Sequence, residues 1–269
     1  MKIQFTKMHG AGNDYIYVDA TRYPIPDPGK ASIKWSHRHF GIGGDGLVLI
    51  GRPDEAIADF SMRLFNADGS EALMCGNASR CVGKLVYEMG WTRKRHIRLS
   101  TLSGVKLIDL DVDEQDKVSN VVVDLNKPIF NDEHLFLPDG EPLPHGLFVS
   151  MGNPLYVVFV DDIEAVDVTT EGPRLEHHSR FPQRCNIVFA QCRPDYLRVR
   201  MWERGSGITL ACGTGACATV VAATRAGLVP RCGDVVMDGG ILHAEWRESD
   251  DHVLLSGPTT IAFTGEVEL

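Results

Sequence analysis

Phe60-Ser61-Met62-Arg63-Leu64-Phe65 and Leu197-Arg198-Val199-Arg200-Met201-Trp202 share one alternating pattern, with Arg63 falling on Arg200 at a spacing of 137 residues. Alternation of apolar and polar side chains is the period of a half-buried strand. Carried on without a gap, the same spacing lays Leu73 on Leu210, Cys75 on Cys212, Gly76 on Gly213, Asn77 on Thr214 and Gly90 on Gly227. Both stretches therefore read strand, polar turn, Cys-Gly, helix and closing glycine. A second block repeats at a spacing of 140, where Gly12-Asn13 ahead of Tyr15-Ile16-Tyr17-Val18 matches Gly152-Asn153 ahead of Leu155-Tyr156-Val157-Val158. The chain is a duplication, and a three-residue insertion accounts for the difference in spacing.

Two copies of roughly 130 residues predict two similar domains of ordinary size. The strands are short, and each copy holds essentially one long helix. The expected fold is α+β: two pseudo-symmetric domains, each a curved, mostly antiparallel sheet wrapped around a central helix, without alternating βαβ units. Residues 1–118 with 258–269 are expected to form the first half, and 119–257 the second. Val118 to Phe130 reads as the crossing, and the last strand, Thr259 to Leu269, returns to the first half. Pro24 to Pro28 and Pro138 to Pro144 read as surface loops.

A formal net charge of −9 leaves no broad basic surface, so nucleic acid and anionic membrane are not expected partners. Met1 to Gly10 lacks the apolar stretch of a secretion signal, and no apolar run is long enough to span a bilayer. The cytoplasm is the expected location. Seven cysteines, an odd number, argue against a disulfide framework, and their spacing offers no zinc motif. No metal is expected. Gly41-Ile42-Gly43-Gly44-Asp45-Gly46 matches a dinucleotide fingerprint in letters only, because Leu47-Val48-Leu49-Ile50 after it reads as a strand. That loop is expected to close over one end of a substrate.

Cys75 and Cys212 carry the chemistry in this reading. Each sits just before a helix whose expected N-cap is Asn77 in one copy and Thr214 in the other, with Gly90 and Gly227 as stops. A thiol there faces unpaired amides and the positive end of the helix dipole, which favours its thiolate. Gly76, Gly213 and Gly215 leave the same amides open to a carboxylate. Inverting an amino-acid α-carbon needs one acid/base group on each face, and a duplicated helix-tip cysteine supplies the pair. No cofactor is required. Cys81, Cys185, Cys192, Cys217 and Cys232 read instead as small buried apolar residues.

Phe5-Thr6-Lys7-Met8-His9-Gly10-Ala11-Gly12-Asn13-Asp14, Phe65-Asn66-Ala67-Asp68-Gly69-Ser70, Met74-Cys75-Gly76-Asn77, Gly152-Asn153-Pro154, and Trp202-Glu203-Arg204-Gly205 with Ala211-Cys212-Gly213-Thr214-Gly215 together resemble the diaminopimelate epimerase family. The resemblance runs over essentially the whole chain. It implies interconversion of LL- and meso-2,6-diaminoheptanedioate in lysine and cell-wall synthesis, with Cys75 and Cys212 as the acid/base pair. It further implies that Gly76, Asn77, Gly213 and Thr214 hold the reacting carboxylate. Asn13, Asn66, Asn153, Asn186, Glu203 and Arg204 would hold the amines and the far carboxylate, as suits a zwitterion.

Two positions depart from the family pattern: Leu155 stands where a histidine usually follows Gly-Asn-Pro, and Gly46 where some members carry a glutamine. They keep two alternatives open, a racemase of another amino acid (histidine, lysine or proline) and a non-catalytic amino-acid-binding or thiol-sensing protein. The order in which the cysteines act stays open, as does the choice between monomer and homodimer. Two activated thiols flanking one cleft would also be able to oxidise to a disulfide.

Overall fold

The computed structural model describes residues 1–53 and 56–269, which form two compact units. The first comprises Met1–Val123 and Gly257–Leu269, the second Asp124–Ser256.

In the first unit the chain runs β1 (Lys2–Gly10), β2 (Asn13–Asp19), α1 (Pro28–Ser36), β3 (Gly46–Gly51), β4 (Phe60–Asn66), β5 (Glu71–Ala72), α2 (Gly76–Glu88), β6 (His96–Thr101), β7 (Gly104–Val112) and β8 (Val118–Asp124). The second runs β9 (Gly146–Ser150), β10 (Pro154–Phe159), α3 (Val168–Glu176), β11 (Asn186–Cys192), β12 (Tyr196–Glu203), β13 (Gly207–Thr209), α4 (Gly213–Arg225), β14 (Cys232–Met237), β15 (Gly240–Trp246) and β16 (Val253–Gly257). The last strand, β17 (Thr260–Glu268), pairs antiparallel with β1 and belongs to the first unit. The two sequences of elements match one for one, as the internal repeat requires. The repeated strand is β4 in one copy and β12 in the other.

The long helix explains each unit's shape. Eleven of the thirteen residues of α2 are buried, and ten of the thirteen of α4. A helix buried on every side has to be enclosed by sheet. Accordingly α2 packs against β1, β2 and β7, while α4 packs against β9, β10, β11, β12, β14 and β15. Gly90 and Gly227 end these helices at φ 73° and 72°, the left-handed conformation of a C′ glycine.

Most strand pairs are antiparallel, and the exceptions fall at matched points. β2–β3 and β4–β6 are parallel in the first unit, β10–β11 and β12–β14 in the second. Each parallel pair is joined through one of the four helices, so βαβ crossovers are present that the strand patterns alone did not reveal. The short helices α1 and α3 complete an outer layer. Ile16, Val18, Leu47, Leu49 and Phe65 face Ala31 and Trp35 of α1, whereas Tyr156, Val158, Ile187 and Phe189 meet Val168 and Leu175 of α3. The strands β2, β3, β10 and β11 are thus covered on both faces, which is why they read as continuous apolar runs.

Polar contacts pin the first unit at Asp59. Hydrogen bonds from Arg98, with help from Lys94, hold its carboxyl well below the ordinary 3.8. A carboxyl lowered on folding adds stability above its unfolded value, and that stability fades as pH falls below 3.8 toward the folded value. Acid titration followed by circular dichroism should therefore show Asp59→Asn losing stability at pH 7 and a shallower acid limb than the parent. An unchanged acid limb would show that the ion pairs are too solvated to matter.

Candidate active site

Cys75 and Cys212 are themselves the N-cap residues of α2 and α4, with nearly identical dihedrals of −139°/122° and −136°/119°. This corrects the expected caps: Asn77 and Thr214 lie in the second helical position, and neither helix has a side-chain cap. The physical reason is that Gly76 and Gly213 already adopt helical dihedrals. The first helical hydrogen bonds run from Ser79 N–H to Cys75 O (2.9 Å) and from Ala216 N–H to Cys212 O (3.0 Å). The amides of residues 76–78 and 213–215 consequently have no acceptor within their helices and stand as an anion-binding tip beside each sulfur.

In the first unit the residues at one end of the sheet converge on Cys75. Its Sγ donates to Asn13 Oδ1 at 3.4 Å, and Asn77 Nδ2 donates to the same oxygen at 3.3 Å. Asn13 Nδ2 in turn donates to Asp45 Oδ2 at 2.7 Å. The start of β2, the start of β3 and the end of β4 lie side by side through the pairs Tyr15↔Gly46 and Gly46↔Asn66, which brings Asn66 to the same edge. There Asn66 Nδ2 donates to Ser70 Oγ at 3.0 Å.

The glycine loop 41–46 is tied down from two sides. The amides of Gly41, Ile42, Gly43 and Gly44 donate to carbonyls at the end of α1, and Lys7 Nζ donates to Gly43 O. Lys7 is also 2.6 Å from Asp14. Burial opposes ionisation of Asp14, but hydrogen bonds from Arg38 and Lys7 outweigh it and hold that carboxyl below the ordinary range. The loop's contribution to the cysteine is Asp45, which sequence reasoning missed. At Gly46 an added Cβ would lie 2.1 Å from Phe65 O, so the β3–β4 pairing itself excludes a side chain there.

The second unit repeats the arrangement with a hydroxyl in place of an amide. Cys212 Sγ and Thr214 Oγ1 are 3.3 Å apart, and Asn153 Nδ2 donates to that hydroxyl at 3.3 Å. Cys75 is half-buried and Cys212 is 8% exposed. Asn186 faces the protein instead of an open space: it is buried, Nδ2 donates to Pro154 O (2.7 Å), and Oδ1 accepts from Arg204 N–H (3.0 Å). It therefore sets the path of two loops. Arg204 Nη1 donates to Gln183 O at 2.8 Å, and Glu203 Oε1 accepts from Thr209 Oγ1 at 2.5 Å.

Glu176, at the end of α3, was also missed. Its carboxylate is 2% exposed and accepts from Trp202 Nε1 (2.6 Å), Gly205 N–H (3.1 Å) and Arg184 (3.2 Å). It clamps both ends of the Trp202–Gly205 turn that presents Glu203 and Arg204. A lone glutamate at a helix end carries no pattern that would single it out.

The remaining thiols divide. Cys81, Cys185 and Cys217 are buried as expected, but Cys192 and Cys232 are exposed at the ends of strands β11 and β14. The apolar reading fails for these two because their strand ends protrude from the core. Burial pushes the Cys81 thiol up to about 11 and raises Cys185 further still, so neither ionises near neutral pH. Leu155 is fully buried. Tyr156 and Val158 face α3, so alternation along β10 turns Leu155 to the α4 side, and no imidazole reaches Cys212 from that position. Among the described residues no group of three or more His, Cys, Asp or Glu could hold a metal ion. No helix there is long and apolar enough to cross a membrane.

A family model described as diaminopimelate epimerase matches residues 5–130 and 147–262. The chain is 56% identical to a diaminopimelate epimerase of Bacteroides thetaiotaomicron, covering 99% of this chain and 98% of that protein. It is 45% identical to one of Methanococcus maripaludis, covering 99% and 100%. Among solved structures it is similar to a phenazine biosynthesis protein of the PhzF family from Bacillus anthracis (TM-score 0.73, 16% identity, 100% of both chains). A hydroxyproline epimerase from Agrobacterium vitis is another neighbour (TM-score 0.72, 13% identity, 99% and 91% of the two chains). The structural likenesses share the fold, and the sequence matches decide the family: the chain belongs to the diaminopimelate epimerase family.

Proposed function

We propose that the protein interconverts LL- and meso-2,6-diaminoheptanedioate without a cofactor, with Cys75 and Cys212 acting on opposite faces of one α-carbon. The observation that carries this reading is the pair of matched N-cap cysteines, each beside its own helix tip and its own asparagine. One sulfur takes the α-proton as a thiolate while the other, as a thiol, returns a proton from the opposite side, so the net charge on the pair is unchanged. The helix-tip amides at Gly76, Asn77, Gly213 and Thr214 would receive the α-carboxylate and stabilise the negative charge that builds on it as the C–H bond breaks. Asn13, Asn66, Asn153, Glu203 and Arg204 would hold the amines and the far carboxylate, with Asn186 and Glu176 shaping the turn that carries Arg204.

The reaction would run in the cytoplasm, in a monomer or a homodimer. Incubation with LL-diaminopimelate in D₂O under reducing conditions should produce the meso isomer together with deuterium at a single α-carbon. Absence of exchange at every pH from 6 to 9 would end the proposal, about 7 to 8 being where a helix-tip thiol is best poised. Leu155 and Gly46 favour a second reading, a different amino-acid substrate. A panel of amino acids, diaminopimelate included, ranked by kcat/KM decides between the two.

A further inference from the structure

The hydrogen-bond chain beside Cys75 has ends of fixed polarity. Arg80, fully buried in α2, donates from Nη2 to Asn77 Oδ1 at 2.7 Å. A guanidinium has donors only, so Asn77 must turn its oxygen to Arg80 and its nitrogen away. That nitrogen donates to Asn13 Oδ1. At the far end Asp45 Oδ2 accepts from Asn13 Nδ2 and, at 3.0 Å, from Asp14 N–H, while its other oxygen lies 2.9 Å from Arg38. An ion-paired carboxylate only accepts, so Asn13 turns its nitrogen to Asp45 and its oxygen to Asn77 and Cys75. Asparagine orientation is normally ambiguous; a donor-only group at one end and an acceptor-only group at the other leave one consistent direction.

Cys75 therefore meets an oxygen that can only accept. An S–H satisfies that oxygen, whereas a thiolate would face its lone pair. We infer that Arg80 and Asp45 are positioning residues that hold Cys75 as a thiol in the resting protein, with its hydrogen on Asn13 Oδ1. The inference rests on the two-cysteine reading, in which Cys75 then starts as the acid and Cys212 as the base. In the first half-turnover the α-proton passes to the Cys212 thiolate, the C–H electron pair stays with the substrate, and the Cys75 proton bonds to the opposite face. Cys75 is left as the thiolate and Cys212 as the thiol. The Thr214 hydroxyl suits this assignment, since it accepts from Asn153 and can turn its own hydrogen to Cys212 Sγ.

Ionisable neighbours of Cys75 include Tyr17 on β2 and Cys81 on α2, with Lys7, Asp14 and Arg38 around Asp45. Burial pushes both Tyr17 and Cys81 up, so they are neutral near pH 7 and add no charge. The charge on Arg80 and the open amides at the tip of α2 act in the opposite sense, toward a thiolate, and the test has to separate them from the Asn13 hydrogen bond.

Iodoacetamide labelling of the full chain, read for each cysteine by peptide mass spectrometry across pH, gives the two titration midpoints. Infrared absorption of the S–H stretch, assigned by its loss in Cys75→Ala, gives the hydrogen bond. Cys75 should titrate about one pH unit or more above Cys212, and its S–H band should be shifted to lower frequency. Arg80 and Asp45 each fix the direction from one end, so Asp45→Asn alone, whose amide oxygen still accepts from Asn13, should keep the band shifted, whereas the double variant Arg80→Gln/Asp45→Asn frees both ends and the shift should vanish. A band that stays shifted in the double variant would overturn the positioning role. A Cys75 midpoint at or below that of Cys212, or an unshifted band in the parent, would overturn the inference as well. Neither measurement needs turnover, so its failure is distinct from a failure of the exchange assay.

Discussion

Cys75→Ala and Cys212→Ala should each lower kcat/KM for epimerisation by about a thousandfold or more, the scale of a lost general acid or base. That is about 4 kcal/mol of transition-state stabilisation. The pattern of residual exchange should be more telling than the size of the loss. A variant with one thiol can still remove and return a proton on its own face, so each should exchange deuterium slowly into one stereoisomer without inverting it. The preferred isomer should differ between the two variants. Separation of the stereoisomers on a chiral column, with mass spectrometry of each peak, reads both quantities at once. If both variants favoured the same isomer, or either one still inverted at the parental rate, the idea of one sulfur per face would fail.

Removing the Glu176 carboxylate should have the second largest effect. Glu176→Ala leaves the Trp202 indole N–H, the Gly205 amide and the half-exposed Arg184 without the buried acceptor they share. Losing hydrogen bonds to a charged, buried acceptor costs about 1.5–3 kcal/mol, so urea unfolding should show a loss of that size. The turn bearing Glu203 and Arg204 would loosen with it. KM for diaminopimelate should rise more than kcat falls, because the groups on that turn are proposed to bind the substrate and not to move its proton. A variant with unaltered KM would detach Glu176 from substrate binding and leave it a purely structural group.

The repeat told most of the architecture before any coordinates. Arg63 on Arg200 and Cys75 on Cys212 located two equivalent strands and two equivalent helices, and Gly90 and Gly227 marked where those helices end. The crossovers through α1 and α3 stayed hidden because Pro28–Ser36 and Val168–Glu176 are short and contain glycine and proline, which mask a helical period. The caps were misread for a related reason. Asparagine and threonine are good caps in general, but a cap is defined by the backbone, and here the backbone turns helical one residue earlier, at glycine. Asp45, Arg80 and Glu176 act through other residues across gaps of 32 or fewer in the chain but with no repeat to flag them; Asp45, for instance, is bonded to Asn13 at a separation of 32. Such second partners are visible only once the strands are laid in register. Asn186 shows the converse: the sequence singles out the residue, yet which way its amide points is a matter of the fold.

Because β17 pairs with β1 along nearly its whole length, from Lys2↔Glu268 to His9↔Thr260, the order of synthesis is not the order of completion. The ribosome releases the first unit's opening strand early, then makes all of residues 124–256 before the strand that seals it. During that interval β1 presents an unsatisfied edge, the kind of surface that invites pairing with other chains. The second unit has all of its own strands in one continuous stretch and can close first, so in the growing polypeptide the later-encoded half is the earlier to finish.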